Sequence, residues 1–161
     1  MKLSEHFALA EFTRSESAKR HGVSNEPTPE HLQNIIALCV NVLEPLRARF
    51  GPINISSGYR SKVLNHFIGG ALKSDHSFGF AADIDEDNNG KDYNNNDIFN
   101  YIKDNLKFKQ LIAEFPKNGK PSWIHVSYDA LNLKKEILIA TSKVSGRTIY
   151  VNYNGNEKLI K

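Results

Sequence analysis

One cysteine in 161 residues excludes an internal disulfide and any cysteine-built metal cluster, since either needs at least a second thiol. That residue, Cys39, falls at helical spacing among Leu32, Ile35, Ile36, Val42, Leu43 and Leu46, so it reads as a small buried hydrophobe and not a nucleophile. No apolar run approaches the roughly 20 residues a bilayer-spanning helix needs. The opening MKLSEHFALAEFTRSES is too poor in apolar residues for a secretory signal peptide, so the expectation is a chain made in the cytoplasm without membrane insertion. Charge of one sign is also lacking. A formal net charge of +3 with the signs interspersed predicts no nucleic-acid partner, although it suits an enzyme working on an anionic polymer. Repeats and linkers are absent too, which predicts one domain over 1–161, long enough for a sizeable core, and a monomer.

The patterning that is present can be read in chain order. Residues 1–28 form an irregular N-terminal arm anchored by Leu3, Phe7, Leu9 and Phe12, with Ser4 and Thr13 able to cap short turns. Thr28-Pro29-Glu30 opens the strongest helix, which Pro45 should kink or loosen in its final turn and Gly51-Pro52 should end. A short strand begins at Ile53 and breaks at Gly58, directly before Arg60. Ser61 caps a helix over 61–68 with Val63, Leu64, Phe67 and Ile68 apolar and Gly69-Gly70 as its stop. Residues 86–97 are a polar surface loop without EF-hand spacing, placed over a cleft. Ile98, Phe99, Ile102 and Leu106 mark another amphipathic helix. The runs 108–115 and 122–129 predict a hairpin, and the alternating segments around Ser145-Gly146 predict a closing one, so 131–161 reads as a β-hairpin extension.

The stretch SDHSFGFAADID, 74–85, carries the densest chemistry. A loop bearing His76 turns at Gly79 and feeds a strand with Ala82 and Ile84 on one face, Ala81 and Asp83 on the other. A carboxylate on so apolar a strand needs a partner, which a metal ion, an arginine or backbone N–H groups can each supply. In the later hairpin Trp123, His125 and Ser127 share a face, and a suitable register sets Glu114 on the same surface as His125. His76, Asp83 and His125 are therefore candidate ligands. Two imidazoles and one carboxylate leave a fourth position for water, the arrangement of catalytic zinc sites and not of structural ones. Such a site needs a carboxylate to carry protons, and Arg60 offers a guanidinium fork for an oxyanion or a carboxylate. The plainer reading of Arg60 is a surface residue, and His66 reads as a helix-surface or packing histidine.

The motif S-x-H-x-x-G-x-A-x-D, Ser74 to Asp83, resembles the metal motif of the zinc D-Ala-D-Ala carboxypeptidase family, peptidase family M15. That group includes D-Ala-D-Ala dipeptidases, L-Ala-D-Glu endopeptidases and phage endolysins. SSGYRS and WIHVS resemble its other two blocks, in the right order. LSEHFALAEFTRSESA, the GYRS-x-x-x-N-x-x-x-GG run and QLIAEF look like a compact phage- and prophage-associated branch. The resemblance extends over roughly residues 2–130. It implies an α+β fold, a small antiparallel sheet with helices packed on one side, as in hedgehog and D-Ala-D-Ala-peptidase folds. It further implies one Zn²⁺ per chain on His76, Asp83 and His125, with peptidoglycan stem peptide as substrate, reached after the protein is released to the cell wall. By the same likeness Arg60 binds the substrate carbonyl or carboxylate, with Ser74 and Trp123 as further substrate contacts.

One departure stands out. Many members carry an acidic general base three residues before the last ligand, where this chain has Ser122. Glu114 takes that role in our reading, with Asp129 a weaker choice and Asp85 better suited to orienting a ligand. The missing acid also favours a rival class, a non-catalytic zinc-binding phage structural or wall-binding module, against which Arg60 and the open fourth position argue. A metal-free adaptor is the third possibility.

Overall fold

Helical and alternating apolar patterns divide the chain into two layers, seen in a computed structural model that describes residues 1–86, 92–144 and 147–155. The arm carries two short helices, α1 (Leu9–Thr13) and α2 (Glu16–His21), and its Leu3, Phe7 and Phe12 are buried. Its caps differ from expectation. Ser15 accepts from the Ala18 N–H, whereas Ser4 Oγ donates to Glu44 and Thr13 Oγ1 donates to the Leu9 carbonyl.

Thr28 caps α3 (Pro29–Leu38) as its sequence position dictates, accepting from the His31 N–H. The helix then widens into a π-helical segment, Cys39–Leu43, before α4 (Glu44–Phe50). Pro45 explains this: it has no N–H, and its ring would collide with the carbonyl four residues back. The Glu44 N–H reaches instead to the Cys39 carbonyl. The distortion therefore precedes the proline and does not fall in the final turn. Cys39 is fully buried within it, and burial pushes its thiol up to about 12, consistent with an inert packing role.

The remaining elements are β1 (Ile53–Ser57), α5 (Lys62–Phe67), β2 (Ala81–Glu86), α6 (Asn95–Asn105), β3 (Gln110–Glu114), β4 (Trp123–Ser127), β5 (Glu136–Val144) and β6 (Arg147–Asn152). They build one sheet in the order β1-β2-β4-β3-β5-β6. All neighbours run antiparallel except β3 and β5, so the sheet is mostly and not wholly antiparallel. The exception arises because the chain leaves β4 and returns beside β3 in the same direction. Ala82, Ile84, Leu111, Ala113, Ile124, Val126 and Ile139 point into a core shared with Leu38, Leu46, Ile98, Phe99 and Ile102 of the helices. The helices therefore cover one face, an α+β arrangement, and the other face is free for chemistry. In α5 only Leu64 of the four expected apolar residues is buried; Val63, Phe67 and Ile68 are exposed, because so short a helix turns a single narrow face inward. Part of the polar loop, residues 87–91, and the Ser145-Gly146 turn lie outside the described residues.

Candidate metal centre

His76 is delivered by a 3₁₀ turn, Asp75–Phe78, that ends on Gly79. Gly79 has φ +75° and an added Cβ would lie 2.3 Å from the His31 carbonyl oxygen, so only glycine lets the turn seat against α3. The His76 Nδ1–H donates to the Gly58 carbonyl at 2.7 Å, and the Arg60 N–H donates back to the His76 carbonyl at 3.2 Å. Gly58 is itself pressed on the arm, where a Cβ would meet the Phe12 Cα at 2.6 Å. With the Nδ1 proton committed to Gly58, the Nε2 lone pair of a neutral His76 faces inward.

Strand register supplies the other two groups. Asp83 on β2 stands directly opposite His125 on β4. Asp83 Oδ1 lies 2.9 Å from His125 Nδ1 and 3.2 Å from His76 Nε2, and the two ring nitrogens are 3.2 Å apart. Among the described residues this is the one grouping of three His, Cys or acidic side chains arranged to hold a metal ion. Zinc bonds of about 2.0–2.1 Å in a tetrahedron put neighbouring ligand atoms about 3.3 Å apart, so the triangle has the required size. Its proton count points the same way. Two inward nitrogens and a carboxylate oxygen meet with one proton at most between neutral rings, which leaves lone pairs facing one another unless a cation sits among them. Burial lowers the His76 pKa and keeps the ring neutral, while the flanking imidazoles outweigh burial at Asp83 and hold its carboxyl well below the usual carboxylate range. Both are the states a metal ligand needs.

Glu114 pairs with Trp123 on the β3–β4 ladder, two residues along from the Ile112–His125 pair and on the same face. It is buried, and burial pushes its carboxyl up to about 7; the Asp83 charge adds to this and His125 opposes it. Arg60 has a buried Nε without a hydrogen-bond partner, and burial lowers its pKa against the pull of Asp83 and Tyr150. Every site residue named from the sequence lines one cavity of about 650 Å³, Ser74 and Trp123 included.

The other acids weighed from the sequence, Asp85 and Asp129, and His66 stay outside that lining. Asp85 is held by Asn95 at 2.6 Å and by the Glu86 N–H at 2.8 Å, so it secures the start of α6 and does not orient a ligand through any of these bonds. Asp129 accepts from the Leu131 N–H at the end of β4. Ser122 Oγ donates to the Phe115 carbonyl at 2.7 Å, closing the β3–β4 turn. His66 is exposed beside Phe67. Among the lining residues not singled out from the sequence is Tyr150 on β6. Its alternating strand was recognisable, but which face it presents depends on a register shift between Ala140 and Lys143 that composition does not signal.

The model of the family described as Peptidase M15 matches residues 5–127, a span that holds all three candidate ligands, Arg60 and Glu114 and stops before β5 and β6. No curated protein matches the chain.

Proposed function

Because the chain belongs to the peptidase M15 family, we propose that it is a zinc-dependent peptidoglycan peptidase that hydrolyses an amide bond of the stem peptide. The reaction is that of a D-Ala-D-Ala carboxypeptidase or an L-Ala-D-Glu endopeptidase of endolysin type. The observation that carries this reading is the 2.9–3.2 Å triangle of His76, Asp83 and His125 atoms, open to the cavity that Glu114 and Arg60 also line.

In this reading His76, Asp83 and His125 hold one Zn²⁺ per chain. When bound, the ion supplies Lewis acidity toward the substrate carbonyl and acidifies water. Glu114 takes a proton from the attacking water as the new carbon–oxygen bond forms. It returns that proton to the amine nitrogen as the carbon–nitrogen bond breaks, leaving a carboxylate and an amine. A carboxyl near pH 7 suits both halves of that shuttle. Arg60 presents a desolvated fork to the substrate carbonyl or a terminal carboxylate. Ser74 and Trp123, which line the same cavity, complete the substrate contacts.

The rival reading, a non-catalytic zinc-binding module, draws on Ser122 at the usual acidic position. A buried Glu114 in the same cavity supports turnover instead. Among the described residues no helix is long and apolar enough to cross a membrane; in this reading the protein acts on the wall as a monomer once released to it. Incubation of the zinc-loaded protein with purified peptidoglycan, followed by mass spectrometry, tests the function. New amino and carboxyl ends within the stem peptide support it. Intact peptidoglycan beside a full equivalent of bound zinc favours the binding module.

A further inference from the structure

The cleft has a wall that the family match does not reach. Beyond residue 127 the chain adds β5 and β6 to the same sheet, and β6 turns Tyr150 toward the site. The register gives its place. Glu114 pairs with Ala140, and Ala140 pairs with Tyr150, so the carboxylate and the phenol stand in one cross-strand row on one face with a single methyl group between them. A larger residue at 140 would fill that gap; alanine leaves room for the ring to lean over the strand. Tyr150 remains 51% exposed, so a substrate in the cavity can reach it.

The electrostatics around the phenol narrow its role. Burial, Glu114 and Asp83 raise its pKa while Arg60 opposes, so near neutral pH the group is a protonated donor and not a base. Thr148, two residues earlier on the strand, lines the same cavity. A phenol carries one O–H to donate. Glu114 and Asp83 are acceptors that gain nothing from a developing negative charge nearby. A neutral O–H donor lining the same cavity stabilises such a charge.

We infer that Tyr150 is a further catalytic residue, its phenol O–H donating a hydrogen bond to the substrate carbonyl oxygen as that oxygen gains charge during attack. The inference rests on the peptidase reading. The phenol keeps its proton: carbonyl π electrons move onto oxygen as the water oxygen bonds to carbon, then return as the amine leaves. Because the interaction strengthens with charge, its loss acts on kcat more than on KM.

The test compares wild type, Tyr150→Phe and Tyr153→Phe as zinc-loaded proteins on a soluble stem peptide. Tyr153 is the control, since its ring packs on Phe99 on the opposite, core side of the sheet. Tyr150→Phe keeps the ring and removes only the hydroxyl, so zinc content and melting temperature should match wild type. The expected result is a kcat lower by at least tenfold in Tyr150→Phe with KM within about threefold, and no such change in Tyr153→Phe. A kcat within twofold of wild type overturns the inference, as does a raised KM at unchanged kcat. A wild-type protein that binds zinc and cleaves no stem peptide overturns the peptidase reading, and the inference falls with it.

Discussion

Asp83 and His125 face one another across the β2–β4 ladder, with Oδ1 2.9 Å from Nδ1. Backbone register sets the two residues opposite one another on one face, so the sheet brings their side chains within reach. His76 completes the triangle from a turn that only Gly79 permits.

Metal content should follow from that triangle. The wild-type protein should carry close to one equivalent of zinc, and His76→Ala and Asp83→Ala should each lose it. Because burial lowers the His76 pKa, its neutral form persists below the ordinary histidine value of about 6.5. Equilibrium dialysis across pH should therefore show zinc released in acid solution as the ligand imidazoles take up protons. Full retention by both alanine variants contradicts the ligand assignment.

Glu114→Gln should keep zinc and fold but lower kcat at least a hundredfold, within the range for loss of a general base. Single-turnover kinetics beside metal analysis make the distinction. Activity within a few-fold of wild type assigns the proton shuttle elsewhere, and loss of zinc makes Glu114 a support for the ligands.

The same carboxyl should give the metal-free protein a distinctive pH dependence. Its folded pKa is raised from 4.5 to about 7, so between those values the folded state holds a proton that the unfolded state has released. Stability must then fall as pH rises through that window. His76, whose folded pKa is lowered, works in the opposite direction. Denaturant titrations of wild type and Glu114→Gln with chelator present isolate the Glu114 contribution as their difference. The wild type should lose stability relative to the variant from about pH 4.5 to 7; parallel curves contradict this.

Gly79→Ala should destabilise the fold by about 1–3 kcal/mol, because it places a side chain at positive φ and against the His31 carbonyl. Zinc affinity should weaken with it, since the turn that carries His76 must shift. Chemical denaturation and metal titration of the one variant read both effects, and wild-type values in both contradict the role given to the turn.

The ligands and the core were legible because alternation assigns faces without knowledge of register. Asp83 opposite Ala82 and Ile84, and His125 opposite Ile124 and Val126, follow from period two alone. Glu114 needed a register as well, which the connection over 115–122 between β3 and β4 left open. Tyr150 was not legible: its neighbours depend on a parallel β3–β5 pairing and on a shift within β5–β6, neither of which leaves a mark on local sequence. The same limit applies to the helices. Pro45 announced a distortion, but its placement at Cys39–Leu43 reflects which carbonyl the ring would strike. The α5 apolar residues suggested burial, and the shortness of the helix left three of them outside.

The most direct measurement of the central claim is the mass of what purified peptidoglycan releases when the protein is stripped of metal and then reloaded with one equivalent of zinc. The account predicts no release from the stripped protein. On reloading it predicts free D-alanine or a fragment cut within the stem peptide, each cleavage adding one water, and no release by reloaded Glu114→Gln. Release that proceeds equally with and without zinc, or none from a fully zinc-loaded wild type, would contradict it.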